Sequence, residues 1–165
     1  MSRRTIVAVL VVLVSITSLF AASVPKVLSQ RLVIGDPVWR ELPVRSNVSG
    51  QYEKVWQTAV DTMLEHNFEI ATMDRSSGYL RTIPKADIVR LQTDWYYKVQ
   101  VSVKLVTDQN IKAGESAPVT KVRLQVAGEV TNVDPRRGLK AQFNGYDQII
   151  LQTLFQDLQA KLGSV

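Results

Sequence analysis

Side chains that carry out chemistry are scarce in this chain of 165 residues. It has one histidine, His66, and no cysteine, so it lacks a thiolate nucleophile and the ligands of an ordinary zinc site. His66 falls near the predicted end of a helix, where a charged imidazole interacts favourably with the helix dipole. Asp61, Glu65 and Asp74 fall on a helix surface and in a turn, and no pair of them is spaced for acid and base catalysis. The sequence therefore predicts no enzyme, no cofactor and no metal site.

Cationic and aromatic residues offer a second kind of chemistry, the binding of an anionic surface or an acidic protein. Most of the cations fall on the polar face of two alternating strands, and that face must be exposed to solvent. The candidate interaction residues are Trp39, Arg75, Arg81, Tyr96, Lys98, Lys104, Lys121 and Arg123. The expected partner is an envelope protein or assembly complex, or an anionic membrane surface. The alternative is an ordinary solvated sheet face, and a net charge of +5 is too small to indicate nucleic acid.

The N-terminus has the pattern of an export signal. Two arginines precede an uncharged apolar run from Thr5 to Val24, about 20 residues that are long enough to span a bilayer as a helix. Residues 1–30 are predicted to be either a cleaved signal peptide or a retained anchor. Small residues allow cleavage after Ser23 and, less favourably, after Ser29. Both alternatives place the rest of the chain on the periplasmic side of a bacterial envelope.

The remaining sequence predicts one α+β domain over residues 48–165, preceded by a linker or short first strand in residues 31–47. Apolar residues at three- and four-residue spacing predict a helix from Tyr52 to Leu64 and a second helix from after Asn144 to about Leu162. Alternating runs predict four antiparallel strands between them, the clearest from Trp95 to Leu105. The expected fold is a two-layer sandwich, with the long C-terminal helix across a four-stranded sheet.

Short stretches of this domain resemble a known family. Val55-Trp56, the stretch from Leu64 to Ile70, Asp74, and the stretch from Gly78 to Thr82 are similar to the repeating unit of BamC, also called NlpB. That family comprises accessory lipoproteins of the outer-membrane β-barrel assembly machine. The resemblance covers about residues 48–162 and implies a helix-grip fold, in which an antiparallel sheet clasps a long C-terminal helix. It implies no catalytic residues, and the lipid-attachment cysteine of the family is absent here.

Two functions follow from these observations. The leading expectation is a non-enzymatic interaction module of the envelope, accessory to outer-membrane protein assembly or to another envelope complex. The alternative is a periplasmic carrier of a lipid or another apolar ligand, because a helix lying on a curved sheet can leave an apolar cavity between them.

Overall fold

The computed structural model describes residues 24–45, 51–91, 94–107, 118–133 and 140–163. Of the predicted export segment, residues 1–30, the first 23 lie outside these residues and residues 24–30 are described. No helix within the described residues has the length and apolar character required to cross a membrane.

Eight strands and three helices make up this part of the chain. The strands are β1 (Leu32–Ile34), β2 (Arg40–Pro43), β3 (Ile70–Asp74), β4 (Tyr79–Thr82), β5 (Lys85–Arg90), β6 (Asp94–Thr107), β7 (Val119–Val133) and β8 (Lys140–Asp147), and the helices are α1 (Lys26–Ser29), α2 (Tyr52–Glu65) and α3 (Gln148–Leu162). All strands join one antiparallel sheet in the order β1-β8-β7-β6-β4-β3, with β2 also on β7 and β5 also on β6. The predicted four-stranded, two-layer helix-grip sandwich is therefore wrong, because the protein is mostly β, with twice as many strands.

The two longest strands form the centre of the sheet. β6 and β7 pair from Trp95 opposite Asn132 to Thr107 opposite Val119. Both alternate apolar and polar residues, so that Trp95, Tyr97 and Val101 are buried on one face, which we call the inner face. The predicted strand from Trp95 to Leu105 is confirmed, and its inward and outward residues were assigned correctly.

β4 and β5 lie end to end along the same edge of β6, separated only by Ile83 and Pro84. At this break the hydroxyl of Thr82 accepts a hydrogen bond from the backbone N–H of Val101 at 3.0 Å. The side chain thus replaces a ladder bond that the interrupted strand does not make. The break is short, because pairing with β6 resumes at Lys85 opposite Val99.

β8 includes residues 145–147, which the sequence predicts as the start of the C-terminal helix. Its Gly145 passes so close to β1 that an added Cβ would lie 2.0 Å from the carbonyl oxygen of Val33. β1 brings Leu32 into the core, and Leu28 of α1 is buried as well. The segment 31–47 thus contributes two strands, where the sequence predicts a linker or one short strand.

α2 and α3 cover the inner face. α3 packs on β7, β2 and β8 and against α2, through Leu151, Leu154, Leu158 and Leu162. Both predicted helices are confirmed, but α3 begins at Gln148, because Asp147 and not a residue near Asn144 caps it.

The close approach at Gly145 gives a prediction. Gly145→Ala should lower the free energy of unfolding by about 1–3 kcal/mol, because the methyl group must push β1 away from β8. Chemical denaturation measures this loss, and hydrogen exchange should become faster at Val33 and Ile34. The control Asn144→Ala, at an exposed neighbouring position, should have little effect. Equal stability of Gly145→Ala and the unmodified protein would contradict the close packing.

Candidate functional site

A pocket of about 400 Å³ opens between the start of α3, the end of α2 and the inner face of β5 and β6. We call it the helix–sheet pocket. Its floor is apolar and consists of the buried side chains of Phe68, Tyr97, Val99 and Leu154. Volume and lining are typical of a small-molecule site, in which a few polar groups orient a mainly apolar ligand.

A fully buried carboxylate fixes one side of this pocket. Asp147 lies between β8 and α3, and its Oδ1 accepts hydrogen bonds from the backbone N–H groups of Ile149 at 2.9 Å and Ile150 at 2.8 Å. Its Oδ2 accepts from the Arg31 guanidinium at 3.1 Å and from the hydroxyl of Tyr97. Four donors therefore compensate the cost of burying this charge.

Two cations line the pocket. The Arg31 guanidinium lies 5.1 Å from the ring centroid of Tyr97, so its plane is held by the ring as well as by Asp147. The Lys85 ammonium lies 5.6 Å from the ring centroid of Phe68. Asp87, also on the inner face of β5, accepts a hydrogen bond from the backbone N–H of Ile88 at 2.8 Å.

Tyr97 is held in its neutral form. Burial raises the pKa of its hydroxyl well above the ordinary value, and the hydrogen bond to Asp147 raises it further, while the charge of Arg31 acts in the opposite direction. The hydroxyl is therefore a permanent donor to the buried carboxylate and not a general base.

His66 also lines the pocket but is engaged elsewhere. Its Nε2 lies 3.2 Å from Oδ2 of Asp157, which also accepts from Lys161 at 3.2 Å. A hydrogen bond to Glu65, and then the contacts with Asp157, raise the pKa of Lys161. These contacts connect α2 to α3. Within the described ranges, no group of three acidic or imidazole side chains is arranged to hold a metal ion.

The predicted interaction residues lie mainly on the opposite, outer face. In the register of β6 and β7, Lys98 lies opposite Glu129, and Lys104 lies opposite Arg123. Arg81 of β4 reaches the same face and donates to Gln100 at 2.6 Å. Tyr96 is there too and is 39% exposed. Lys121 alternates onto this face with Arg123. The structure thus brings together five of the six predicted cations with Tyr96.

Several of the candidates form ion pairs or ring contacts within the protein. Lys121 contacts Glu41 at 2.8 Å, and Arg123 contacts the same carboxylate at 3.2 Å, so that Lys121 in particular holds the pKa of Glu41 below its usual range. Trp39 folds back under Arg123, whose guanidinium lies 5.7 Å from its ring centroid. Arg75 lies in the turn after β3 and pairs with Glu53 of α2, away from the outer face. The outer face is therefore mixed in charge.

Asp74 has a structural role in the same turn. The hydroxyl groups of Ser76 and Ser77, with the backbone N–H of Ser77, lower the pKa of its carboxyl to about 2. The predicted assignment of Asp74 as a turn residue is confirmed.

Comparison with known proteins gives no further assignment, because no protein-family model matches the chain and no curated protein matches it in sequence. Sequence reasoning also missed the helix–sheet pocket. Arg31, Lys85 and Leu154 come from three distant segments, and only the fold joins them. One local sequence pattern does indicate a residue beside this pocket. Asp147 is an acidic residue directly before an apolar helical repeat, a position that favours a helix N-cap.

The buried Tyr97 hydroxyl predicts a pH dependence. The pKa of the Tyr97 hydroxyl is higher in the folded chain than in the unfolded chain, so its interactions stabilise the fold fully below about pH 10. This contribution is lost as the pH rises further, because the unfolded chain then releases a proton that the folded chain retains. The free energy of unfolding should fall by up to about 1.4 kcal/mol per pH unit more steeply than in Tyr97→Phe.

Denaturation by urea between about pH 9 and about pH 11 measures both slopes. Tyr96→Phe, at the adjacent outward position, is the matched control and should retain the slope of the unmodified protein. Parallel pH profiles for the unmodified protein and Tyr97→Phe would show that Tyr97 is not held neutral.

Proposed function

We propose that this domain is a non-enzymatic ligand-binding protein of the bacterial envelope, which holds an amphipathic molecule in the helix–sheet pocket. The observation that carries the proposal is the pocket itself, an apolar floor of buried residues with a rim that includes Arg31 and Lys85. Its volume of about 400 Å³ falls in the range of small-molecule sites. The basic and apolar pattern of residues 1–30 supports a location on the periplasmic side of the membrane.

The arrangement of the rim favours binding over catalysis. Arg31 and Tyr97 both bond to Asp147, whose other oxygen caps α3, so the polar groups on this side are fixed in place. Fixed donors beside an apolar floor orient a ligand at a low cost in conformational entropy. Among the residues the structure describes, no nucleophile lies beside a free base in this pocket.

Filling the pocket tests this proposal. The neutral apolar dye N-phenyl-1-naphthylamine should bind to the unmodified protein with a stoichiometry of one. Ile150→Trp should weaken that binding by about tenfold or more, because the half-buried side chain of Ile150 lines the pocket and an indole there takes the space of the ligand. Fluorescence titration measures both affinities.

The control for this experiment is Gln156→Trp, which places the same side chain on the exposed surface of α3 outside the pocket. It should bind the dye like the unmodified protein. Failure of the unmodified protein to bind, or equal binding by Ile150→Trp, would contradict the proposal.

A second candidate function is docking on an envelope protein or assembly complex, as expected from the sequence. The observation that favours it is a groove of about 540 Å³ beside α3, lined by two exposed apolar side chains, Val38 and Ile149. Exposed apolar residues that share a groove are typical of interaction surfaces.

This second function predicts a site-specific contact. A photoreactive amino acid at Ile149 should cross-link one envelope protein in living cells, because its side chain projects into the groove. The same group at Gln156, on the exposed surface of α3, should not. Identical cross-links from both positions, or none from either, would argue against docking at this groove.

A further inference from the structure

We infer that the ligand of the helix–sheet pocket is a single-chain amphiphile with an anionic head group, which bonds to Arg31 and Lys85 while its chain lies on the apolar floor. This inference rests on the proposed ligand-binding function and adds the chemical class of the ligand. A carboxylate or a phosphate would serve as the head group, since both present several acceptor oxygens.

Arg31 supplies directed donors. A guanidinium carries five N–H groups, and within the described residues Arg31 directs one hydrogen bond at a protein acceptor, to Asp147. The side chain is 37% exposed and lines the pocket. Because Asp147 and the ring of Tyr97 fix the guanidinium plane, its other donors are already oriented before a ligand arrives.

Lys85 supplies a second cation at the rim. Its ammonium group contacts the ring of Phe68 and forms no ion pair within the part of the chain that the structure describes. A head group bound at this rim would therefore gain a charge-assisted hydrogen bond without first breaking an existing salt bridge.

The buried acid beside the pocket is better satisfied than the two cations. Asp147 accepts four hydrogen bonds and has no exposed surface, so it cannot attract a cationic ligand. Asp87 is exposed and bonds to the backbone N–H of Ile88. The unfilled hydrogen-bonding capacity of the rim consists mainly of donors, and donors select an acceptor-rich head group.

The floor explains why the ligand should be an amphiphile and not a free anion. Phe68, Val99 and Leu154 are buried side chains without polar groups, and they line the same pocket as the two cations. An alkyl chain bound on this floor would be removed from water, and the burial of its apolar surface is favourable. A small inorganic anion has no apolar surface to bury there. One molecule with both parts therefore fits better than either part alone.

The test compares ligands that share a chain and differ in the head group. Dodecanoate should bind about tenfold more tightly than dodecanol in isothermal titration calorimetry, since a charge-assisted hydrogen bond is worth roughly one power of ten in affinity. Lysophosphatidylglycerol is added to distinguish a lipid source from a free fatty acid. Binding of either anion about tenfold more tightly than dodecanol supports the inference.

Variants of residues at the rim show which side chains bind the head group. Lys85→Gln is an exposed substitution that breaks no ion pair among the described residues. It should weaken dodecanoate binding about tenfold and leave dodecanol binding within about twofold. Lys26→Gln, on the exposed surface of α1, is the matched control and should change neither affinity. Asp87→Asn should leave dodecanoate binding unchanged or make it tighter.

The outcomes separate this inference from the proposed function. If dodecanol and dodecanoate bind equally and Ile150→Trp weakens both, the pocket binds ligands but does not select an anion, and the inference fails alone. If neither amphiphile binds, the proposed function fails with it. Unchanged dodecanoate affinity in Lys85→Gln would also overturn the assignment of the head group to this rim.

Discussion

One buried carboxylate holds together the parts of this domain that define its candidate site. Asp147 connects the residue before β1, the inner face of β6 and the first turn of α3 through its bonds to Arg31, Tyr97, Ile149 and Ile150. A buried charge is tolerated only when its hydrogen-bonding capacity is filled, so none of these partners can move independently. The position of α3 over the sheet, and therefore the width of the helix–sheet pocket, depends on this single group.

The sequence predicted the elements whose pattern is local and long. α2 and the two central strands follow from the three- and four-residue spacing around Val55 to Met63 and from the alternation from Trp95 to Leu105. β1, β5 and β8 were missed for different reasons. β1 has three residues, β5 begins directly after Pro84, and β8 contains Asn144 and Gly145, which have low strand propensity. Their long neighbours set the pairing of these short strands.

The candidate site shows even more clearly how little a local sequence pattern says about contacts between distant segments. Alternation fixes the side of the sheet on which a residue lies, so the outward position of Lys98 was predictable from its neighbours. Alternation does not reveal a counter-ion, and Glu41 reaches Lys121 and Arg123 only because β2 pairs with β7. Likewise, Arg31 and Lys85 are 54 positions apart in the chain, and no spacing rule connects them.

The packing of α1 limits where the chain could be shortened without loss of stability. Leu28 is 1% exposed and belongs to the hydrophobic core, although it lies only a few residues after the apolar run. A peptidase that cut after Ser29 would remove this side chain at a cost of about 2–5 kcal/mol, the usual loss for an emptied leucine site. A cut after Ser23 would leave the core complete. The buried side chain of Leu28 therefore makes α1 part of the stable fold.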